Sequence, residues 1–333
     1  MKRAELLARI LLASGLSGVV IVPLLIRGFR VSATPEIRAR MAGAGGWIPD
    51  SLRAEVGKPM HLRLTSEDVV HGFAVGRWGF AAVEVLPGQM TEVTLTFEEP
   101  GTYTFYCTRW CGPDHWRMRG TIEVEGAAPT VSPTIDPPAY VELGLDIDAP
   151  HPAPAIPSAP PSASRAASIA LDIPDAYRTA SYYRSHSPGE AWIELRADSF
   201  TSGLSDNQVW DLVAWMWARQ TSPEALAEGR EIFSRECAAC HGEIGAGDGV
   251  FAEEIAASAA PAQSSMAPLA PPGPADFSRR APMFGAPPAL LQGKILRGGM
   301  GTGMPDWGSI LSDDQIWAVI GYLYSISFSE DGS

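Results

Sequence analysis

The sequence predicts a multidomain chain with three parts: one N-terminal transmembrane helix, an all-β sandwich, and an all-α C-terminal region. Three observations carry that prediction. Residues Ile10–Ile26 form a run of apolar and small residues. Short alternating segments fill residues 50–126, and a helical apolar period begins near residue 170.

The N-terminal run is flanked by Lys2, Arg3 and Arg9 before and Arg27 and Arg30 after. A spanning helix needs at least ~17 apolar residues, so the run qualifies as a retained anchor over 1–32. The competing reading is a cleaved signal peptide, against which Val31-Ser32-Ala33 is a poor cleavage site. The flanking charges are too balanced to orient the helix.

The β region, assigned to 33–127, shows strands at Leu52–Val56, His61–Thr65, Ala82–Leu86, Thr91–Phe97, Thr102–Tyr106 and Thr121–Glu125. Turn signals such as Pro87-Gly88 and Pro100-Gly101 separate them, the pattern of a sandwich or barrel. Residues 128–168 are rich in Pro, Ala and Ser, and read as an extended linker with no core in which His151 is solvated. The helical region contains a repeated string, Leu204-Ser-Asp-Asn-Gln-Val-Trp210 and Leu311-Ser-Asp-Asp-Gln-Ile-Trp317. Only the second copy follows a Cys-x-x-Cys-His, so residues 169–220 read as a haem-less half-repeat and 221–330 as the haem-bearing domain.

Charge narrows the function classes. The first 30 residues carry a net +4 and the remaining 303 a net −17. So acidic a body argues against nucleic acid and suits either steering of a basic partner or solubility.

Four cysteines fall in two clusters, with none left over. The first is Cys107-Thr-Arg-Trp-Cys111, followed by His115 and Met118, with His71 upstream in Val-Val-His-Gly-Phe. A disulfide or half a zinc site would use the two cysteines alone. Two Cys, two His and one Met form a soft donor set suited to copper. A single-copper carrier needs one Cys; a second lets both sulfurs bridge two coppers. His61 is a rival ligand that reads as an ordinary strand histidine.

Residues 65–126, with Val-Val-His71-Gly-Phe, Val-Leu-Pro-Gly, Tyr-Thr-Phe-Tyr-Cys107 and His115-Trp-Arg-Met118-Arg-Gly-Thr-Ile-Glu-Val, resemble subunit II of haem–copper oxygen reductases. The resemblance implies a cupredoxin sandwich carrying the dinuclear copper centre CuA. Cys107 and Cys111 would bridge, His71 and His115 would be terminal ligands, Met118 the axial sulfur, and the carbonyl of Arg109 the other weak ligand. A single anchor resembles the B-type members. Many members have Glu where this chain has Arg109, which puts a magnesium role at the subunit I interface in doubt.

The second cluster, Cys237-Ala-Ala-Cys240-His241, is the covalent haem c pattern: two thioether anchors and a proximal histidine. Leu226–Phe233 reads as the first helix of a class I cytochrome c, and Gly242–Gly249 as its turn. Met304, before Pro305, is the expected sixth ligand, with Met300 as fallback and Met283 as packing; 251–275 reads as a loop without chemistry.

Together these imply an electron-entry subunit of a terminal oxidase. It would be anchored in the bacterial inner membrane with its domains facing the periplasm. It would take electrons from a cytochrome c-like donor and pass them to a catalytic subunit I, and would hold no complete active site itself. A CuA-bearing nitric oxide reductase and a free-standing periplasmic carrier are the alternatives. Nitrous oxide reduction would need a second histidine-rich copper domain, which six histidines exclude.

Overall fold

Alternating apolar residues build the β part. In the computed structural model, which describes residues 34–77, 82–112, 114–127, 137–169, 173–259, 273–299 and 304–329, strand β4 (Met60–Ser66) buries Met60, Leu62 and Leu64 and exposes His61 and Arg63. That period of two is what a sheet with one covered face requires. The N-terminal anchor segment lies outside the described residues; among those described, no helix is long and apolar enough to cross a membrane.

Two sheets make the sandwich. One has the order β2-β1-β4-β7, from β1 (Glu36–Ala39), β2 (Trp47–Ile48), β4 and β7 (Thr91–Leu95). The other has the order β3-β9-β8-β5-β6, from β3 (Ser51–Glu55), β5 (His71–Val75), β6 (Val83–Val85), β8 (Gly101–Tyr106) and β9 (Arg119–Glu125). The β1/β4 and β3/β9 pairs are parallel and the other pairs antiparallel. Phe73, Phe97, Phe105, Leu64 and Ile122 fill the space between the sheets. Burying each such side chain stabilises the fold by about 1.5–3 kcal/mol. Trp47 wedges edge-on against Phe73 and Phe105, at ring-centroid distances of 5.7 and 5.9 Å.

Strand β5 is buried on both faces. Phe73 and Val75 face the sandwich core, whereas Ala74 joins the core of the helical region.

The helical region is built on capped, amphipathic segments. Helices α1 (Pro188–Ala197), α2 (Asp206–Ala218) and α6 (Asp313–Phe328) each open with a capping box, Ser187/Glu190, Ser205/Gln208 and Ser312/Gln315. The repeated Leu-Ser-Asp-x-Gln string therefore encodes the same local device twice. The two tryptophans that follow are placed differently: Trp210 is buried between Trp192 and Phe284, while Trp317 is half-buried and donates to Asp313. Residues 173–220 share one continuous core with the helices that follow. Helix α3 (Pro223–Ile232) crosses α6 at Gly229, where an added Cβ would lie 2.1 Å from the Ala318 carbonyl oxygen.

The Pro-rich stretch departs from the expected free linker. Ile147 and Ala166 are buried in the helical core, and a short helix forms at Ala163–Ala166. Gly189 and Gly285 let residues 151–155 lie backbone to backbone on the helices; an added Cβ at Gly285 would meet the His151 carbonyl at 2.0 Å. His151 is half-buried, not solvated. Proline removes backbone donors, so an extended strap can pack without leaving them orphaned. The segment expected as a loop without structure instead contains a helix, Ala252–Ala259; residues 260–272 lie outside the described set.

Candidate copper and haem sites

The strand register delivers the first site. Cys107 follows β8, Met118 precedes the adjacent β9, and His71 opens β5 on the other side of β8. The loop between β8 and β9 carries Cys111 and His115. Ligand atoms of His71, Cys107 and Cys111 all lie within 4.8 Å of one another. The two sulfurs are 4.0 Å apart. His71 Nδ1 is 3.7 Å from Cys107 Sγ and His115 Nδ1 is 3.4 Å from Cys111 Sγ. Met118 Sδ lies 3.1 Å from Cys111 Sγ, and the Arg109 carbonyl oxygen 3.2 Å from Cys107 Sγ. All six expected donors converge.

The surroundings hold them. Asp68 accepts from His71 Nε2 at 2.8 Å and from the backbone N–H groups of Met41 and Val69, leaving Nδ1 turned toward the sulfurs. Trp47 Nε1 donates to the Met118 carbonyl, and Gly72 N–H donates to Cys107 Sγ at 3.4 Å. A side chain at residue 72 would collide with Thr108. The sequence reading missed Asp68, although an acid three positions before a candidate ligand histidine is the available signal.

The site is primed for a cation. The Cys111 thiol beside it holds Cys107 down to about 3 against the opposition of burial, with His115 and His71 contributing further. Cys111 is pushed up by the same shared proton. Burial opposes charging of His71, but Cys107 and Asp68 outweigh it and raise its pKa. Buried paired thiolate, two imidazoles and a thioether fit copper, which would replace the protons that now bridge these donors. His61 lies apart on exposed β4, bonded to Thr94.

Near the surface the Arg109 guanidinium pairs with Glu84. Both are exposed, and they form an ion pair where a carboxylate would otherwise stand.

The second site begins where α3 widens into a π-turn, Phe233–Cys237, before the short α4 (Ala238–His241). Such turns recur at functional sites because they re-aim side chains. Gly242 ends the segment at φ +82°, and Gly249 packs against the Ala239 and Cys240 backbone where a Cβ would clash. His241 Nδ1 donates to the Ala275 carbonyl at 3.0 Å, which leaves Nε2 available to iron. Its ring lies 4.8 Å from that of Phe277. Burial keeps His241 neutral and raises both Cys237 and Cys240, so neither thiol ionises readily. Met304 packs against the helical core, and Met283 is buried in it; Met300 lies outside the described residues. Thiols, an oriented imidazole and an apolar lining of Phe233, Phe277 and Tyr322 fit a covalently held haem.

A copper-binding β-sandwich joined to a helical cytochrome-like region is thus the class that fold and sites define. Residues 50–125 match the family described as cytochrome c oxidase subunit II, periplasmic domain. Residues 224–323 match cytochrome c oxidase, cbb3-type, subunit III. The sandwich belongs to the subunit II family, and a cbb3-type cytochrome domain follows it on the same chain.

Among curated relatives, cytochrome c oxidase subunit 2 of Thermus thermophilus is 40% identical over 85 residues, 26% of this chain and 62% of that protein. The same-named protein from another strain of that species is 40% identical over 85 residues and is covered to 50%. The chain thus spans about half to three-fifths of the length of these relatives. The periplasmic domain of subunit II of cytochrome oxidase (CoxB) of Bradyrhizobium japonicum is 28% identical, covering 22% of this chain and 54% of that one with a TM-score of 0.22.

Proposed function

We propose that this chain is the electron-entry subunit of a respiratory haem–copper oxidase. In this reading it is anchored in the bacterial inner membrane with its domains on the periplasmic side. It receives electrons from a cytochrome c-like donor and passes them to a separate catalytic subunit. One observation carries the reading: six donors converge around two cysteines in a subunit II-family sandwich, on a chain that also holds a Cys-x-x-Cys-His with an oriented histidine.

Cys107, Cys111, His71, His115, Met118 and the Arg109 carbonyl would hold a dinuclear CuA, and Cys237, Cys240, His241 and Met304 one haem c. Bound there, the groups supply one-electron storage at two potentials. The protein's own part is to hold the donors still. Asp68 fixes the His71 ring, Ala275 fixes His241, and the buried strand ends of β8 and β9 allow the copper loop little movement. A rigid donor set keeps reorganisation on electron exchange small. The net −17 of residues 31–333 suits a basic donor.

A second reading is a CuA-bearing nitric oxide reductase, favoured by one observation. Arg109, paired with Glu84, presents an ion pair at the position where many oxidase relatives carry Glu. Gas uptake by the complex purified from native membranes through this subunit, fed with reduced cytochrome c, decides. Rapid oxygen consumption supports the oxidase. Nitric oxide consumption with little oxygen uptake moves the chain to the reductase branch. Absence of any large haem-containing partner makes it a free-standing carrier.

A further inference from the structure

The outer face of the five-stranded sheet carries a cross-strand row, Ala74 on β5, Tyr106 on β8 and Arg119 on β9. A sheet face turned to water takes polar residues. Here Ala74 is 4% exposed and Tyr106 9% exposed, and both are packed in the core of the helical region.

The opposing surface is specific. Arg119 donates to the Asp306 carboxylate at 2.9 Å and to its carbonyl at 3.0 Å, and its guanidinium stands 5.9 Å from the Trp307 ring. Past the end of β5, Gly76 lies so close to Ile310 that an added Cβ would sit 2.7 Å from its Cα, and Arg77 N–H donates to the Ile310 carbonyl at 2.8 Å. Burial first, then the charge of Glu236, raises the pKa of the Tyr106 hydroxyl, which places Tyr106 beside the haem-attachment turn. The Glu236 side chain is only 4% exposed and is paired with Arg235 at 2.7 Å.

The covalent positions of these residues matter more than the contact itself. Tyr106 immediately precedes Cys107, and Arg119 immediately follows Met118. On the other side Glu236 immediately precedes Cys237, and Asp306 lies two residues beyond Met304. Electron tunnelling falls off steeply with distance, and less steeply through bonds and packed atoms than through gaps. Another contact between the domains, Trp110 on Phe251 with centroids 3.4 Å apart, lies at the rim, where Trp110 is 45% exposed.

We propose that the Tyr106–Arg119 row is the bridge through which the haem and copper sites of this chain exchange electrons, with Tyr106 as its principal element. The inference rests on the reading that the chain carries both cofactors. One electron leaves the ferrous haem iron, which becomes ferric, and reduces the oxidised copper pair by one. No bond forms or breaks, and no proton is required. The bridging role belongs to the Tyr106 ring, not its hydroxyl; Asp306 and Arg119 hold the two surfaces in register.

The test uses the full chain with both cofactors. The copper–haem transfer rate is measured after flash reduction, with the copper hyperfine pattern, the haem absorption and the hydrogen exchange of the Arg77 amide as independent readouts. Tyr106→Phe should keep the wild-type rate. Tyr106→Leu should slow it at least several-fold with both spectra unchanged, while Trp110→Leu leaves it alone. In Asp306→Ala the Arg77 amide should exchange faster and transfer should slow with it. An unchanged rate in Tyr106→Leu, a rate in Asp306→Ala indifferent to that opening, or slowing in Trp110→Leu alone overturns the proposal. A wild-type chain lacking either cofactor signal refutes the underlying reading, and the bridge with it.

Discussion

The Asp68 carboxylate accepts a hydrogen bond from His71 Nε2 at 2.8 Å, and this contact decides which ring nitrogen faces the cysteines. Asp68 is itself fixed by the Met41 and Val69 amides, so the histidine is oriented before any metal arrives. Removing such a partner typically costs ~10–100-fold in metal affinity. Asp68→Asn should therefore weaken copper binding by about that factor. Competition against a calibrated chelator measures it; an unchanged affinity would show that the strand alone orients His71.

The two thiols share one proton, with Cys107 held at about 3. Each can serve as a bridging thiolate once metal displaces that proton. Cys111→Ser should abolish the electron paramagnetic resonance signature of one unpaired electron shared over two coppers. A wild-type chain that gave a single-copper spectrum instead would contradict the dinuclear assignment.

His151 provides a pH dependence outside both sites. Burial lowers its pKa from the ordinary 6.5, partly opposed by its bond to the Ala149 carbonyl. Above the ordinary value both folded and unfolded chains hold it neutral, and it costs nothing. As pH falls through that value the unfolded chain takes up the proton first, so stability declines until the lower folded pKa is passed. His151→Asn should flatten the fall in thermal midpoint on acidification; an identical slope in the variant would exclude His151 as its source.

Gly229 permits the close crossing of α3 and α6, where backbone stands in the way of any Cβ. Gly229→Ala gains up to ~1 kcal/mol of helix propensity but forces the helices apart, an overpacking cost of about 1–3 kcal/mol. The net expectation is destabilisation, seen as a lower denaturant midpoint. A stabilised variant would mean that the crossing can yield.

The sequence by itself determined the local chemistry. Period-two alternation in Met60–Ser66 could only cover one sheet face, Ser-x-x-Gln at 205 and 312 could only start helices, and each cysteine cluster carried its partners at short spacing. These signals are legible because they depend on neighbours a few residues apart. Tertiary structure decided what depends on distant ones. His71 reaches Cys107 across a strand pair, and Asp68 becomes a partner only once β5 is in place. The proline-rich stretch became a packed strap because Gly189 and Gly285 receive it. Arg119 meets Asp306 across 187 residues, a pairing that no periodicity encodes because it depends on how two folded surfaces fit together.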